Sequence, residues 1–81
     1  MPHDNIFPRI QACIVDSLKI EPGRVTQETR QEDLEEWDSI GHLTIVLSVE
    51  AEFDASFQME DIPGMTSVAI LTQHVEASGS V

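Results

Sequence analysis

Residues 36–53 read Glu-Trp-Asp-Ser-Ile-Gly-His-Leu-Thr-Ile-Val-Leu-Ser-Val-Glu-Ala-Glu-Phe. A polar, acidic approach gives way at Asp38-Ser39 to an apolar run that closes at Phe53. Asp and Ser are helix-capping residues, and the following positions carry apolar side chains at helical spacing. The pattern predicts a helix from about Ser39 to Phe53, with Ile40, Leu43, Val46, Leu47 and Phe53 on one broad buried stripe and Glu50 and Glu52 turned away from it. Asp54-Ala55-Ser56 ends the run.

Upstream, Ile6, Ile10, Cys13 or Ile14, and Ser17 or Leu18 recur at helical spacing. Pro8 is tolerated only in a first turn, so this helix starts near Asn5, and Glu21-Pro22-Gly23 is expected to end it. Residues 22–38 form a long connection with Val25, Leu34 and Trp37 as its anchors into the core. Downstream, a short helical turn is expected around Met59–Ile62, ending at Pro63-Gly64. A last helix, capped by Thr66 or Ser67, carries Val68, Leu71 and Val75. Period-two alternation is absent. The expected fold is all-α, a small bundle of three main helices plus one short helix. It forms a single domain over residues 1–81, ordered from about 5 to 77 with a frayed tail at 78–81.

Composition narrows the function. A chain of 81 residues, 41% hydrophobic, builds a compact core but not an enclosed cleft with its own catalytic shell. Four Lys and Arg against 15 Asp and Glu give a net charge of -11. That surface repels phosphate backbones and anionic lipid, which argues against nucleic acid and membrane and for protein partners with basic patches. Much of the charge lies between residues 28 and 61, where Glu28, Glu32, Asp33, Glu35, Glu36, Asp38, Glu50, Glu52, Asp54, Glu60 and Asp61 face one base, Arg30. The single cysteine, Cys13, excludes an intramolecular disulfide and reads as a buried small hydrophobe. Residues 1–5 show no basic-then-apolar signal peptide, and the most apolar stretch, Leu43–Val49, is too short to span a bilayer. A cytoplasmic monomer is expected, with no apolar face to spare beyond one core.

Ser39 admits two readings. It can be an ordinary helix cap. It can also be a hydroxyl presented at a helix N-terminus, where free N–H groups and the helix dipole favour an attached anion. It has no catalytic company: His42 would need an orienting acid and an oxyanion site, and nothing nearby supplies both. His42 is expected to face solvent or a partner, and Trp37 to pack as a loop anchor. His3, His42 and His74 show no metal-ligand spacing. A calcium loop begun at Glu36 places Asp38 and Gly41 correctly but puts Leu47 where a carboxylate is needed. No metal and no enzymatic activity are expected.

From about Ile6 to Val75 the chain resembles an acyl carrier protein. Asp38-Ser39-Ile40 matches the family's Asp-Ser-Leu motif with Ile for Leu. Glu32-Asp33-Leu34 matches its acidic-hydrophobic run, Val49-Glu50-Ala51-Glu52-Phe53 resembles the pattern closing its second helix, and Thr66-Ser67-Val68 resembles the start of its last helix. The resemblance implies 4'-phosphopantetheine attached to Ser39, with Asp38 and Ile40 flanking it. A phosphopantetheinyl transferase would transfer the arm from coenzyme A, and acyl-loading and acyl-transferring enzymes would be partners. It also implies that the bundle can loosen between its second and last helices, with Ile40, Leu43, Val46, Leu47, Phe57, Ile62, Met65, Val68 and Leu71 as lining residues. Carriers of fatty acid synthesis have acids soon after the serine. Here Gly41, His42 and Thr44 stand there, which resembles stand-alone carriers of specialised pathways. Trp37, Gly41, His42, Glu50 and Glu52 are therefore expected to form a changed recognition face. A peptidyl or aminoacyl carrier, and an acidic helical adaptor with no cofactor, remain as alternatives.

Overall fold

The computed structural model describes residues 6–78. The expected helix start at Asn5, His3 of the metal test, and positions 79–81 of the expected frayed tail lie outside the described residues. Three α-helices appear in order: α1 (Ile6–Leu18), α2 (Ser39–Phe53) and α3 (Val68–Ala77). Three single 3-10 turns lie between them, at Pro22–Arg24, Gln31–Asp33 and Ile62–Gly64. The fold is all-α, as the periodicity indicates.

In α1 the buried face is Ile6, Ile10, Cys13, Ile14 and Leu18, spaced by three and four residues along one side. The helix stops earlier than the Glu21-Pro22-Gly23 signal suggests. Lys19 adopts a left-handed φ of 58°. The N–H groups of Lys19 and Ile20 both turn back to the carbonyl of Val15, at 2.8 and 3.4 Å. The chain thus closes its own last turn, a geometry usually given to glycine, before the proline is reached. Pro22-Gly23 then opens a 3-10 turn instead of ending a helix.

The connection from 19 to 38 is held at several points. Val25, Leu34 and Trp37 are all buried, as expected of anchors. Gln11 on α1 donates to the carbonyls of Pro22 and Val25, at 2.9 and 3.0 Å. An antiparallel bridge joins Arg30 to Ser67, with Gln31 N–H donating to the Thr66 carbonyl at 2.8 Å and Val68 N–H to the Thr29 carbonyl at 3.0 Å. Arg24 clasps Glu36 through two bonds, at 2.8 and 3.0 Å. That clasp holds the Glu36 carboxyl below the usual carboxylate range and raises the Arg24 guanidinium. A carboxylate with a depressed folded-state pKa stabilises the fold above its unfolded value, and the contribution disappears as pH falls through the folded one. Glu36→Gln should therefore lower the melting temperature slightly at neutral pH. The difference from wild type should close in acid, and thermal scans across that range check it.

α2 has the predicted bounds. Its first turn is capped by Asp38, whose Oδ1 accepts from Gly41 N–H at 2.8 Å. Its end is set by Asp54 in the left-handed region at φ 51°. Glu50 secures the turn that follows, its carbonyl accepting from Ala55 N–H and its carboxylate from Phe57 N–H. The short helix expected at Met59–Ile62 is a 3-10 turn at Ile62–Gly64. Bonds of the three-residue kind run through the segment, from Asp61 N–H to Gln58, Ile62 to Met59, Gly64 to Asp61 and Met65 to Ile62. Pro63 lacks the N–H that would continue an α-helix. Ser67 caps α3, its Oγ accepting from Ile70 N–H at 3.1 Å, and Val68, Leu71 and Val75 form its buried side.

α1 packs mainly on α2 and secondarily on α3. Arg9 crosses this contact at its edge, bonding to the Glu52 carboxylate at 2.7 Å and the Glu52 carbonyl at 2.8 Å, with its guanidinium 4.3 Å from the centre of the Phe53 ring. Cys13 is buried, and burial raises its thiol above the ordinary value against the opposing pull of a bond with Ser48. It behaves as core.

One expectation about α2 is corrected. Ile40, Leu43 and Leu47 do not enter the core; they are 78%, 55% and 64% exposed. The buried side is Gly41, His42, Ile45, Val46, Val49 and Phe53. Both sets recur at helical spacing, because the helix is apolar on nearly all sides, and periodicity alone cannot choose between them. The close approach of α1 chooses. A Cβ at Gly41 would stand 2.8 Å from Leu18 Cδ2 and 2.9 Å from the Glu36 carbonyl oxygen, so this side of the helix faces inward. The molecule consequently has the spare apolar face that composition did not suggest.

Candidate functional site

The loop ending at Trp37 and the cap at Asp38 together place Ser39 at the first turn of α2. Trp37 is buried at 2% exposure and fixes where the loop enters. Gln31 Nε2 donates to the Trp37 carbonyl at 3.0 Å and holds it there. Asp38 then supplies the cap: the capping oxygen is its Oδ1, which accepts from Gly41 N–H. The Ser39 side chain is exposed and, among the described residues, its hydroxyl makes no hydrogen bond. The N–H groups of Ser39 and Ile40 precede the first closed turn and have no acceptor among the described residues. The nearest histidine in sequence offers this hydroxyl no base. His42, three residues on, is turned into the protein with both ring nitrogens engaged elsewhere.

The surroundings of Ser39 combine two kinds of surface. Beginning at Ile40 and continuing through Leu43 and Leu47, the outer side of α2 is apolar, and Thr44 beside it bonds back to the Ile40 carbonyl at 3.0 Å. Met59, in the segment that follows the helix, is likewise exposed, at 86%. Exposed acids flank the helix in sequence, Glu35, Glu36 and Asp38 before it and Glu60 and Asp61 after it, with Glu36 paired to Arg24 and Asp38 serving as the cap.

The five residues expected to form a recognition face separate into two groups. Trp37, Gly41 and His42 are buried, so the expectation that they meet partners is corrected. Trp37 and His42 bond to one another, and Gly41 is the place where α1 and the Glu36 backbone come close. Glu50 and Glu52 are accessible in part but already occupied, Glu50 by the Phe57 N–H and Glu52 by Arg9. Of the expected lining residues, Val46, Met65, Val68 and Leu71 are buried, and Phe57 and Ile62 are half-buried against the core. Ile40, Leu43 and Leu47 lie outside. The outer stripe was missed because its spacing matches a core stripe. The inward role of Gly41 did have a signal, since an isolated glycine within a helical run commonly marks a close approach.

Among the described residues, no cluster of three or more His, Cys, Asp or Glu side chains could hold a metal ion, and no helix is long and apolar enough to cross a membrane. No protein-family model matches the chain. Its sequence is 28% identical, over 74 residues, to a protein of Bdellovibrio bacteriovorus named acyl carrier protein, an alignment covering 91% of this chain and 95% of that one. The chain is thus similar, nearly from end to end, to a protein named as a carrier, and is its distant homologue.

Proposed function

We propose that this protein is an acyl carrier that receives 4'-phosphopantetheine on the Ser39 hydroxyl and presents the arm to partner enzymes. The observation that carries the reading is the separation of roles at residues 38 and 39. Asp38 caps the helix, so the exposed Ser39 hydroxyl has no structural duty. The site fits a phosphodiester: the hydroxyl is open, and the N–H groups of Ser39 and Ile40 at the positive end of α2 favour an anion beside them. When attached, the arm supplies a terminal thiol that bears an acyl group as a thioester, and that chemistry belongs to the arm and to the partner enzymes.

The chain's own residues supply the address. Ile40, Leu43 and Leu47 offer an apolar centre next to the attachment point, and the acids at 35, 36, 38, 60 and 61 offer a margin that steers basic enzyme surfaces toward it. The phosphopantetheinyl transferase and the enzymes that load and unload the arm are the partners this surface suits. The homologue named acyl carrier protein supports the same reading. Incubating the protein with coenzyme A, Mg²⁺ and a broad-specificity phosphopantetheinyl transferase should add the mass of one phosphopantetheine. If folded protein gains no mass with several transferases, the carrier reading fails and an acidic helical adaptor takes its place.

A further inference from the structure

His42 is 7% exposed and Trp37 2%. Trp37 Nε1 and His42 Nδ1 lie 2.9 Å apart, with the ring centroids 6.1 Å apart and the ring planes inclined by 23°. An indole N–H can only donate, so Nδ1 accepts and the ring proton sits on Nε2. Nε2 in turn approaches the Ile62 carbonyl oxygen at 2.6 Å, and a carbonyl can only accept. Both ends of the imidazole are therefore committed in one orientation. One end holds the residue two before Ser39; the other holds the turn at Ile62–Gly64, on the segment that leads from α2 to α3. The connection before α2 and the segment before α3 also meet farther along, where Gln31 N–H bonds to the Thr66 carbonyl.

We propose that His42 is a positioning residue that makes the loop end at Trp37 and the Ile62–Gly64 turn open and close as one unit. Displacing the turn withdraws the acceptor of Nε2, and the freed imidazole can no longer hold the indole in place. Opening beside Ile62 thus loosens the segment that fixes Ser39, and a firmly seated Trp37 keeps the turn shut. A phenylalanine at 42 would fill the same space and carry neither bond, so packing alone does not account for a histidine here. The consequence for presenting the arm rests on the carrier reading. The coupling does not, and it is measured on unmodified protein, so either can fail without the other.

Hydrogen exchange followed by NMR tests it. Trp37 is the sole tryptophan, so its indole N–H is a single assignable probe. The Gly64 and Met65 amides, bonded to the carbonyls of Asp61 and Ile62 at 3.1 Å each, report the turn. In the wild type the indole and both amides should exchange through a shared opening, with the same dependence on low concentrations of denaturant. In His42→Phe the Gly64 and Met65 amides should exchange about tenfold faster or more, while core amides of α1 keep their protection. The turn amides decide the matter, since the indole loses its acceptor in that variant in any case. Different denaturant slopes for indole and turn in the wild type overturn the proposal, as does unchanged turn protection in folded His42→Phe. If that variant does not fold, the wild-type slopes decide alone.

Discussion

Ser39→Ala should abolish phosphopantetheinylation outright while leaving the protein as stable as the wild type. The two halves of this result come from different residues. The hydroxyl is the only group at position 39 to which the arm can attach, so the mass gain should vanish rather than diminish. The fold should not notice, because the cap of α2 is Asp38 Oδ1 and the Ser39 side chain makes no hydrogen bond among the described residues. Alanine is also the better helix former, by a few tenths of a kcal/mol. Asp38→Ala should give the converse: a loss of about 1 kcal/mol from the missing cap, with the nucleophilic hydroxyl still present. Intact mass and thermal unfolding on the two variants separate these effects. Modification persisting in Ser39→Ala would move the attachment to another hydroxyl on the helix, such as Thr44 or Ser48. A loss of stability of about 1 kcal/mol in the same variant would mean that Ser39 shares the capping after all.

Gly41→Ala should destabilise the protein, against the sign that helix propensity assigns. In an open helix the exchange would add about 1 kcal/mol of stability. Here the new methyl group meets Leu18 Cδ2 at 2.8 Å and the Glu36 carbonyl oxygen at 2.9 Å. The leucine end can rotate aside. The carbonyl belongs to the backbone just before the cap, and moving it disturbs Trp37 and Asp38 together. Overpacking of this kind costs about 1–3 kcal/mol, which exceeds the propensity gain over most of that range. Chemical denaturation of the variant measures the net sign. A more stable Gly41→Ala would show that the end of α1 yields easily and that the glycine is there for another reason.

The sequence makes some features of this molecule plain and conceals others for definable reasons. The bounds of α2 were legible because a capping pair precedes the apolar run and Asp54 follows it. Val25, Leu34 and Trp37 were legible as anchors because they are the large apolar side chains of an otherwise polar loop. The Val68, Leu71, Val75 face was legible for the same local reasons, whereas the cap of α3 was narrowed only to Thr66 or Ser67, and the structure selects Ser67. The rotation of α2 was not, since Ile40, Leu43 and Leu47 repeat as regularly as Ile45, Val49 and Phe53, and only the tertiary approach at Gly41 distinguishes them. His42 was misplaced on the surface because its two partners are remote in different ways. One is five residues back, across the cap, and the other is a backbone carbonyl twenty residues ahead. No local pattern announces a bond of the second kind. That the Ser39 side chain is free of capping duty emerged only from where the Asp38 carboxylate points.

The Arg9 and Arg24 guanidinium groups are each held by a carboxylate, and Arg30 lies near Glu32 and Asp33. Little positive charge therefore remains unengaged on a molecule of net charge -11. In a crowded solution such particles hold one another apart, at low salt over tens of ångströms and at cellular salt over about 8 Å. An uncovered greasy strip on α2 would ordinarily invite self-association. The net charge of -11 on each copy works against two copies pressing those strips together. The excess of acids can thus be understood as a colloidal safeguard, keeping a sticky helix dispersed between encounters.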